Sequence, residues 1–338
     1  MELYAGLDLH SRNTYIGILD KEFTRVFKKR VPNNLEYILM TLKPFEDQIK
    51  GLVVESTFNW YWLVDGLMDA GYRVHLVNTS AVKQYEGLKY TDDNTDTFWL
   101  AHLLRLGILP TGYIYPKELR PVRDLLRKRH QLVELRTTNI LSIQNLWIRN
   151  TGVRLTSNST KKLTCEQIEK RFDDPNLVLA IDSNRLVMQA LDDQIKRVEE
   201  TVVKQSKLGP RYRYLLSIHG VGKILALTIM LETGDISRFE KVGNFASYCR
   251  CVGSTKLSNG KKKGTGNTKN GNKYLSWSFV EAANFAIRFY EPARRFYQRK
   301  MAKTKRVVAI KALAHKLARA SYYVMRDQVP FDPAKIYR

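Results

Sequence analysis

A carboxylate inside the first apolar run is the feature that most limits what this chain can fold into. The run LYAGLDLH reads as a strand, and Asp8 lies within it. A carboxylate there is costly to desolvate unless it is paired or binds a cation. Ser11-Arg12-Asn13 supplies turn chemistry and TYIGILD follows, so Leu3–Asp20 reads as a β-hairpin, with Phe23–Val31 as a third strand. Asn34–Gln48 carries Leu35, Ile38, Leu39 and Leu42 at helical spacing, with Asn33 or Asn34 as its cap. The run GLVVE is a buried strand ending on Glu55. Trp62–Ala70 reads as a helix stopped by Gly71, and Tyr72–Asn78 as another strand. Strands and helices in this order predict an α/β layer. Glu55 then stands at the C-terminal end of a strand, where open α/β sheets place their ligands.

The segment KYTDDNTDTFWLAHLLRLG adds Asp93 and Asp96, which share one face of a predicted helix. First-turn acids favour a helix start in any case. With Asp8 and Glu55, however, they form a set of hard oxygen ligands of the kind that holds two Mg²⁺ ions about 4 Å apart for phosphoryl chemistry. Mn²⁺ suits the same ligands. Asp92 stands beside Asp93 and leaves the register of this pair open.

Charge divides the chain. Residues 1–110 hold 12 Lys+Arg against 14 Asp+Glu, while the remainder holds 44 against 19, for a net of +23 over 338 residues. An excess so placed implies a polyanionic partner gripped by the later part of the chain. Within Glu118–Ile148, a long helical stretch, Arg120, Arg123, Arg127, Lys128, Arg129 and Arg136, followed by Arg149, suit phosphate contacts or a solvated face. Thr151–Thr164 reads as a polar linker, and Asn184–Lys204 as a helical spacer or dimer contact. In SIHGVGKILA, Gly220-Val221-Gly222 before an apolar helix looks like a helix-hairpin-helix turn, which offers amides, with Lys223, to a DNA phosphate. His219 beside it reads as a packing residue or a phosphate contact rather than a catalytic base. Lys303–Arg326 reads as a basic amphipathic helix with Val307, Ile310, Ala314, Leu317 and Val324 on its apolar face.

Val252–Leu275 is the basic core of this half. It holds five glycines, no carboxylate, and Lys256, Lys261, Lys262, Lys263, Lys269 and Lys273. Lysines beside bare amides make a phosphate surface, and Ser258 in their midst is a candidate nucleophile. Cys165, Cys249 and Cys251 lack the spacing of a zinc site and suit a reducing cytoplasm. No run reaches the ~18 apolar residues of a membrane span, and the first residues lack the basic stretch of a signal peptide.

By these marks the chain resembles the DEDD-type insertion-sequence transposases, the bridge-RNA-guided serine recombinases, and the related invertases that flip pilin genes. The resemblance rests on GLDLH (Asp8), VVEST (Glu55), TDDNTDTFWLA (Asp93, Asp96), SIHGVGKILA, the Ser258 loop and NGNKYL, in that order. The chain departs from the family where Thr57 is followed by Phe58-Asn59 rather than leading to a Gly, where Asp96 precedes Thr97 rather than Ala, and where Asn259 separates Ser258 from Gly260. Ser254 therefore stands as a second candidate nucleophile.

The resemblance implies three parts. These are a RuvC-like, ribonuclease-H-fold α/β domain over 1–150, a linker and coiled-coil-like helical spacer over 151–208, and a mostly α-helical transposase domain over 209–338. It further implies a bacterial cytoplasmic enzyme, nucleoid-associated when active, acting on donor and target DNA. A structured noncoding bridge RNA would guide it, and it would work as a dimer or dimer of dimers. A junction-resolving nuclease using water needs the four acids but no serine. A basic binding protein on a degenerate scaffold needs neither.

Overall fold

The alternation of apolar and polar positions that marks the first strands also decides how they stack. In the computed structural model, which describes residues 1–82, 93–206, 209–253, 255–265 and 270–337, the chain divides into two units, 1–117 and 118–338. The side chains of residues 80, 93–95, 255–257, 262 and 265 lie outside the description.

The first unit is a five-stranded mixed sheet in the order β3-β2-β1-β4-β5. Strands β1 (Leu3–Leu9), β2 (Asn13–Asp20) and β3 (Arg25–Pro32) form an antiparallel meander, and β4 (Ile49–Glu55) and β5 (Val74–Val77) run parallel to β1. Helix α1 (Leu35–Leu42) is capped by the Asn34 side chain, which accepts from Tyr37 N, and continues as a 3₁₀ turn over Lys43–Gln48. With α2 (Tyr61–Asp69) it covers one face of the sheet. Leu3, Ala5, Leu7 and Leu9 of β1 pack there with Ile38, Leu63 and Leu67. A short helix α3 (Thr79–Val82) follows β5. The opposite face takes α4 (Asp93–Arg105), whose Phe98 and Ala101 pack with Leu19 and Tyr4. Leu100 packs there with Val53 and Val77.

The second unit is helical apart from one hairpin. Helix α5 (Arg120–Thr151) leads through α6 (Ser157–Lys161) and α7 (Cys165–Glu169) into α8 (Pro175–Gln205). The polar stretch expected as a linker thus contains a helix of its own, capped by Thr156. Helices α5 and α8 lie antiparallel. Arg129 pairs with Glu199 at 2.7 Å, and Arg136, seven residues on, pairs with Asp192, seven residues back. Helix α5, expected to trail the first domain, thus packs on α8 in the unit that begins at residue 118.

Beyond α9 (Pro210–Leu216), helices α10 (Lys223–Thr233), α11 (Val242–Tyr248), α12 (Lys273–Phe289), α13 (Glu291–Met301) and α14 (Arg306–Asp327) enclose one core, with Phe245, Phe279 and Leu317 fully buried. Between α11 and α12 stand β6 (Thr255–Ser258) and β7 (Lys261–Thr265). On α14, Ala314, Leu317 and Val324 are buried and Ile310 packs on the core as expected, whereas Val307 is 64% exposed. Both cysteines near the hairpin are packing residues as expected, and burial pushes the Cys251 thiol up to about 12. No helix among the described residues is long and apolar enough to cross a membrane.

Candidate nucleic-acid-processing site

Asp8 and Glu55 share a hydrogen bond on the α4 face of the first sheet, and Asp96 is near enough for its charge to act on Glu55. Leu3, Ala5, Leu7 and Leu9 occupy the opposite face, so the period of two turns Asp8 toward α4. The same period turns Glu55 there, because Val53, two residues earlier, packs on Leu100 of α4. Asp8 is 4% exposed. Glu55 ends β4, one residue beyond the last pair between β1 and β4, Leu7 with Val54. Asp96 lies in the first turn of α4 and is half-buried.

What brings α4 close enough is a pair of glycines. Gly6 and Gly17 are partners across β1 and β2, and Thr97 sits over both. A Cβ on Gly6 would stand 1.9 Å from the Thr97 carbonyl oxygen, and one on Gly17 would stand 2.6 Å from Thr97 Oγ1. Thr97 is the residue after Asp96, so this contact sets the acid over the end of β1. A glycine inside a strand marks close backbone approach, and that signal is present in AGLDL and YIGIL.

The electrostatics of the cluster appear at Glu55. Burial, a hydrogen bond with the Asp8 carboxyl and the negative charges of Asp8 and Asp96 raise its pKa from 4.5 to about 7; His10 acts the other way. The His10 Nε2 atom lies 3.1 Å from Asp8 Oδ2. The loop after β4 is tied to the same place: Asn59 Nδ2 donates to the His10 carbonyl at 3.2 Å, and Asn33 Nδ2 donates to it at 2.9 Å. Thr57 Oγ1 donates to Asn59 Oδ1. Sequence reasoning does not find these asparagines, since nothing local couples positions 10, 33 and 59.

Asp93 opens α4, but its side chain is outside the described residues, as is Asp92. Among the described side chains no three His, Cys, Asp or Glu stand together as a ligand set. The donor chemistry still fits a hard divalent cation. Mutually repelling carboxylates gathered at one half-buried point, two of them sharing a hydrogen bond, relieve that repulsion by binding positive charge.

In the second unit Ser258 is not in an open loop. It ends β6 opposite Lys261, across a two-residue turn in which Asn259 has φ 51° and Gly260 φ 73°. Positive φ at both positions is the type I′ hairpin turn, for which Asn-Gly is the strongest short signal. That signal lies in the sequence, masked by the lysines and glycines around it. Ser258, Lys261 and Lys263 are exposed. Lys256 and Lys262 lie in the strands, with side chains outside the described residues, and Ser254 and Lys269 lie outside them altogether. Lys273 opens α12 with its ammonium 5.0 Å from the centre of the Tyr274 ring.

Both ends of this excursion are clamped. Arg250, at φ 55°, donates from Nε and Nη2 to the Gly271 carbonyl at 3.1 and 2.8 Å. Asn272 N donates to the Tyr248 carbonyl at 2.6 Å. The Asn272 side chain caps α12, accepting from Tyr274 N and Leu275 N, and its Nδ2 donates to Glu232 Oε2 at 2.6 Å. Glu232 is 3% exposed and is also held by Arg127 through two bonds of 2.6 and 2.7 Å. So NGNKYL is in part a structural motif. The α5 arginines are likewise committed inside the protein: Arg127, Arg129 and Arg136 are paired, and Arg120 and Arg123 are buried.

The turn before α10 has two unlike glycines. Gly220, at φ 92°, lies against α12, where a Cβ would meet the Ala282 carbonyl at 2.2 Å. Gly222 caps α10 with open space beside it and no side-chain cap. Lys223 is exposed next to it. These residues border a groove of about 870 Å³ with Arg129, Trp277 and Phe285. His219 packs on the Tyr290 ring at 3.7 Å, and burial lowers its pKa.

Residues 5–147 match a family model of transposases of the DEDD IS110 kind, and residues 212–298 match that of the transposase IS116/IS110/IS902 family. The chain is 25% identical over 224 residues to "Putative transposase y4qE" of Sinorhizobium fredii (strain NBRC 101917 / NGR234), covering 66% of this chain and 55% of that protein. It is 26% identical over 149 residues to "Insertion element IS116 uncharacterized 44.8 kDa protein" of Streptomyces clavuligerus, covering 43% of this chain and 37% of that one. The chain therefore spans about half the length, or less, of these curated relatives. Over these stretches the chain is similar to transposases of the IS110 kind.

Proposed function

We propose that this chain is the recombinase of its insertion sequence, cutting and rejoining DNA with a serine nucleophile and a divalent-metal site. The observation that carries the reading is the convergence of Asp8, Glu55 and Asp96 behind the Gly6–Gly17 pair, in a chain whose other unit presents a serine at the tip of a basic hairpin. The sheet order with its antiparallel meander and two parallel strands supports a RuvC-like, ribonuclease-H-like scaffold.

Asp8, Glu55, Asp93 and Asp96 would hold Mg²⁺, or Mn²⁺ in its place, which would supply positive charge to neutralise charge building on a phosphate. Ser258 Oγ attacks the phosphorus. The O–P bond to serine forms, the bond to the 3′ oxygen breaks, and the serine's proton ends on the released 3′-hydroxyl. The 5′-phosphoseryl link conserves the phosphodiester, so a partner strand's 3′-hydroxyl reverses the step and completes an exchange. Lys261 and Lys263, with Lys256, Lys262, Lys269 and Lys273, grip backbone phosphates, and Gly222 and Lys223 offer a second contact at the start of α10. A structured bridge RNA carries the sequence reading, and the chain works as a homo-oligomer because two duplexes are cut.

The test is a denaturing gel with 5′- and 3′-labelled suicide substrates carrying the element's ends, run with RNA transcribed from its flanks. Asp8→Ala, Glu55→Ala and Asp96→Ala abolish cleavage and leave binding intact. Ser258→Ala abolishes the protein–DNA adduct. An adduct that survives in Ser258→Ala but not in Ser254→Ala moves the nucleophile upstream. Hydrolytic nicking without any adduct in the unmutated protein discards the serine mechanism in favour of a junction nuclease.

A further inference from the structure

The buried carboxylate Glu232 has no part in the reaction just described, yet it joins three elements. It lies on α10, is gripped by Arg127 of α5, and accepts from Asn272 at the start of α12. Capping α12 requires none of this. Ser, Thr or Asp at position 272 would serve the two amides of Tyr274 and Leu275 equally well. Burying an ion pair is also no route to stability by itself, since apolar replacements often do as well. What the pair accomplishes is orientation. With Oδ1 taken by two amides and Nδ2 by a carboxylate, the Asn272 side chain has one arrangement. Its backbone amide in turn bonds Tyr248, and Gly271 before it accepts both bonds from Arg250. Entry and exit of the segment bearing the β6–β7 hairpin are thereby closed on each other, and the closure is pinned to the core through Glu232.

We propose that Glu232 is a positioning residue: through Asn272 it fixes the base of the hairpin, and so the place at which the Ser258 hydroxyl meets a phosphate. This rests on the reading of Ser258 as nucleophile. The hydrogen bond between the two side chains has a direction, and that supplies the test. Glu232→Gln leaves one oxygen where Arg127 and Asn272 bring three donor bonds, so its amide is set against a donor whichever way it turns. Asn272→Asp keeps the cap of α12 but sets a carboxylate against Glu232. The double variant reverses the bond: Gln at 232 donates, Asp at 272 accepts and still caps the helix, and Arg127 keeps an acceptor.

The experiment measures the rate of adduct formation in full-length protein on the 5′-labelled suicide substrate, beside the Kd for that substrate and the melting temperature. Each single variant slows the adduct about 10- to 100-fold, as misplacement of a reacting group does, while Kd stays within about twofold, since every phosphate-binding group stays in place. The double variant returns the rate to near that of the unmutated protein. A merely structural role would move rate, affinity and melting together, and that outcome overturns the proposal. So does a double variant as slow as the singles, or a Glu232→Gln protein with undiminished rate. If a single variant fails to fold, Asn272→Ser, which keeps the cap and loses the link, takes its place under the same expectations. The absence of any adduct in the unmutated protein sinks the serine reading itself and is recognised before the variants are compared.

Discussion

Gly6 and Gly17 face each other across β1 and β2, and the residue after Asp96 rests on both. The metal-site reading depends on that contact as much as on the acids. Gly6→Ala would drive a methyl into the backbone carbonyl of Thr97, which cannot rotate away. Overpacking of this kind costs about 1–3 kcal/mol, and here it also lifts Asp96 from Asp8. The Gly17 contact is with the Thr97 side chain, so Thr97→Ala recovers part of the loss in Gly17→Ala and none in Gly6→Ala. Thermal melts and cleavage assays of the four proteins check this pattern; equal rescue of both glycine variants contradicts it.

Glu55 gives the metal-free first unit a pH signature. Its folded pKa is raised from 4.5 to about 7, so between these values the folded chain keeps a proton that the unfolded chain has released. Stability therefore falls as pH rises through that window, and the cost stays in full above it. Glu55→Gln removes the slope. Mg²⁺ restores stability above the window by stabilising the ionised cluster. Melting temperature against pH, with EDTA and with Mg²⁺, reads all three; a flat EDTA profile would sink the idea that these carboxylates repel one another.

Replacing Lys261, Lys262 and Lys263 with Ala weakens DNA binding and makes its dependence on salt shallower, by about one unit of slope for each phosphate no longer held. Titrations at a series of salt concentrations measure it. An unchanged slope means that the hairpin does not lie along a phosphate backbone.

Arg127→Leu leaves Glu232 buried without its cation. Removing one partner of a buried pair costs about 3–5 kcal/mol, and chemical denaturation measures it. Arg149, exposed near the end of α5, gives the contrast: Arg149→Leu leaves stability nearly unchanged.

Local signals carry the sheet well. The strands of the sheet, α1 and α2 are legible because apolar period and caps act within a few residues, as at Asn34. Asp8, Glu55 and Asp96 are legible as acids at telling positions. The arginines of α5 read as suited to phosphate contacts or a solvated face, and the ion pairs of Arg127, Arg129 and Arg136 within the second unit are not legible, because a helix face does not reveal which side another helix will cover. Their partners Glu199, Asp192 and Glu232 lie 56 to 105 residues away. The hairpin at Ser258 escapes for a different reason. A run so rich in lysine and glycine looks unstructured by composition, and the Asn-Gly pair at its turn weighs little in such an average.

The antiparallel pairing of α5 with α8 restricts how this arm can change in length. Deleting one residue from α5 turns everything beyond it by about 100°. Arg136 would then swing away from Asp192, and the Trp147–Phe172 contact at the far end would open. Arms of other reach are therefore open to the chain in steps of about seven residues, taken from or added to both helices together. A designed shortening that removes one matched seven-residue block from each helix preserves the seam, whereas any odd cut in a single helix breaks it.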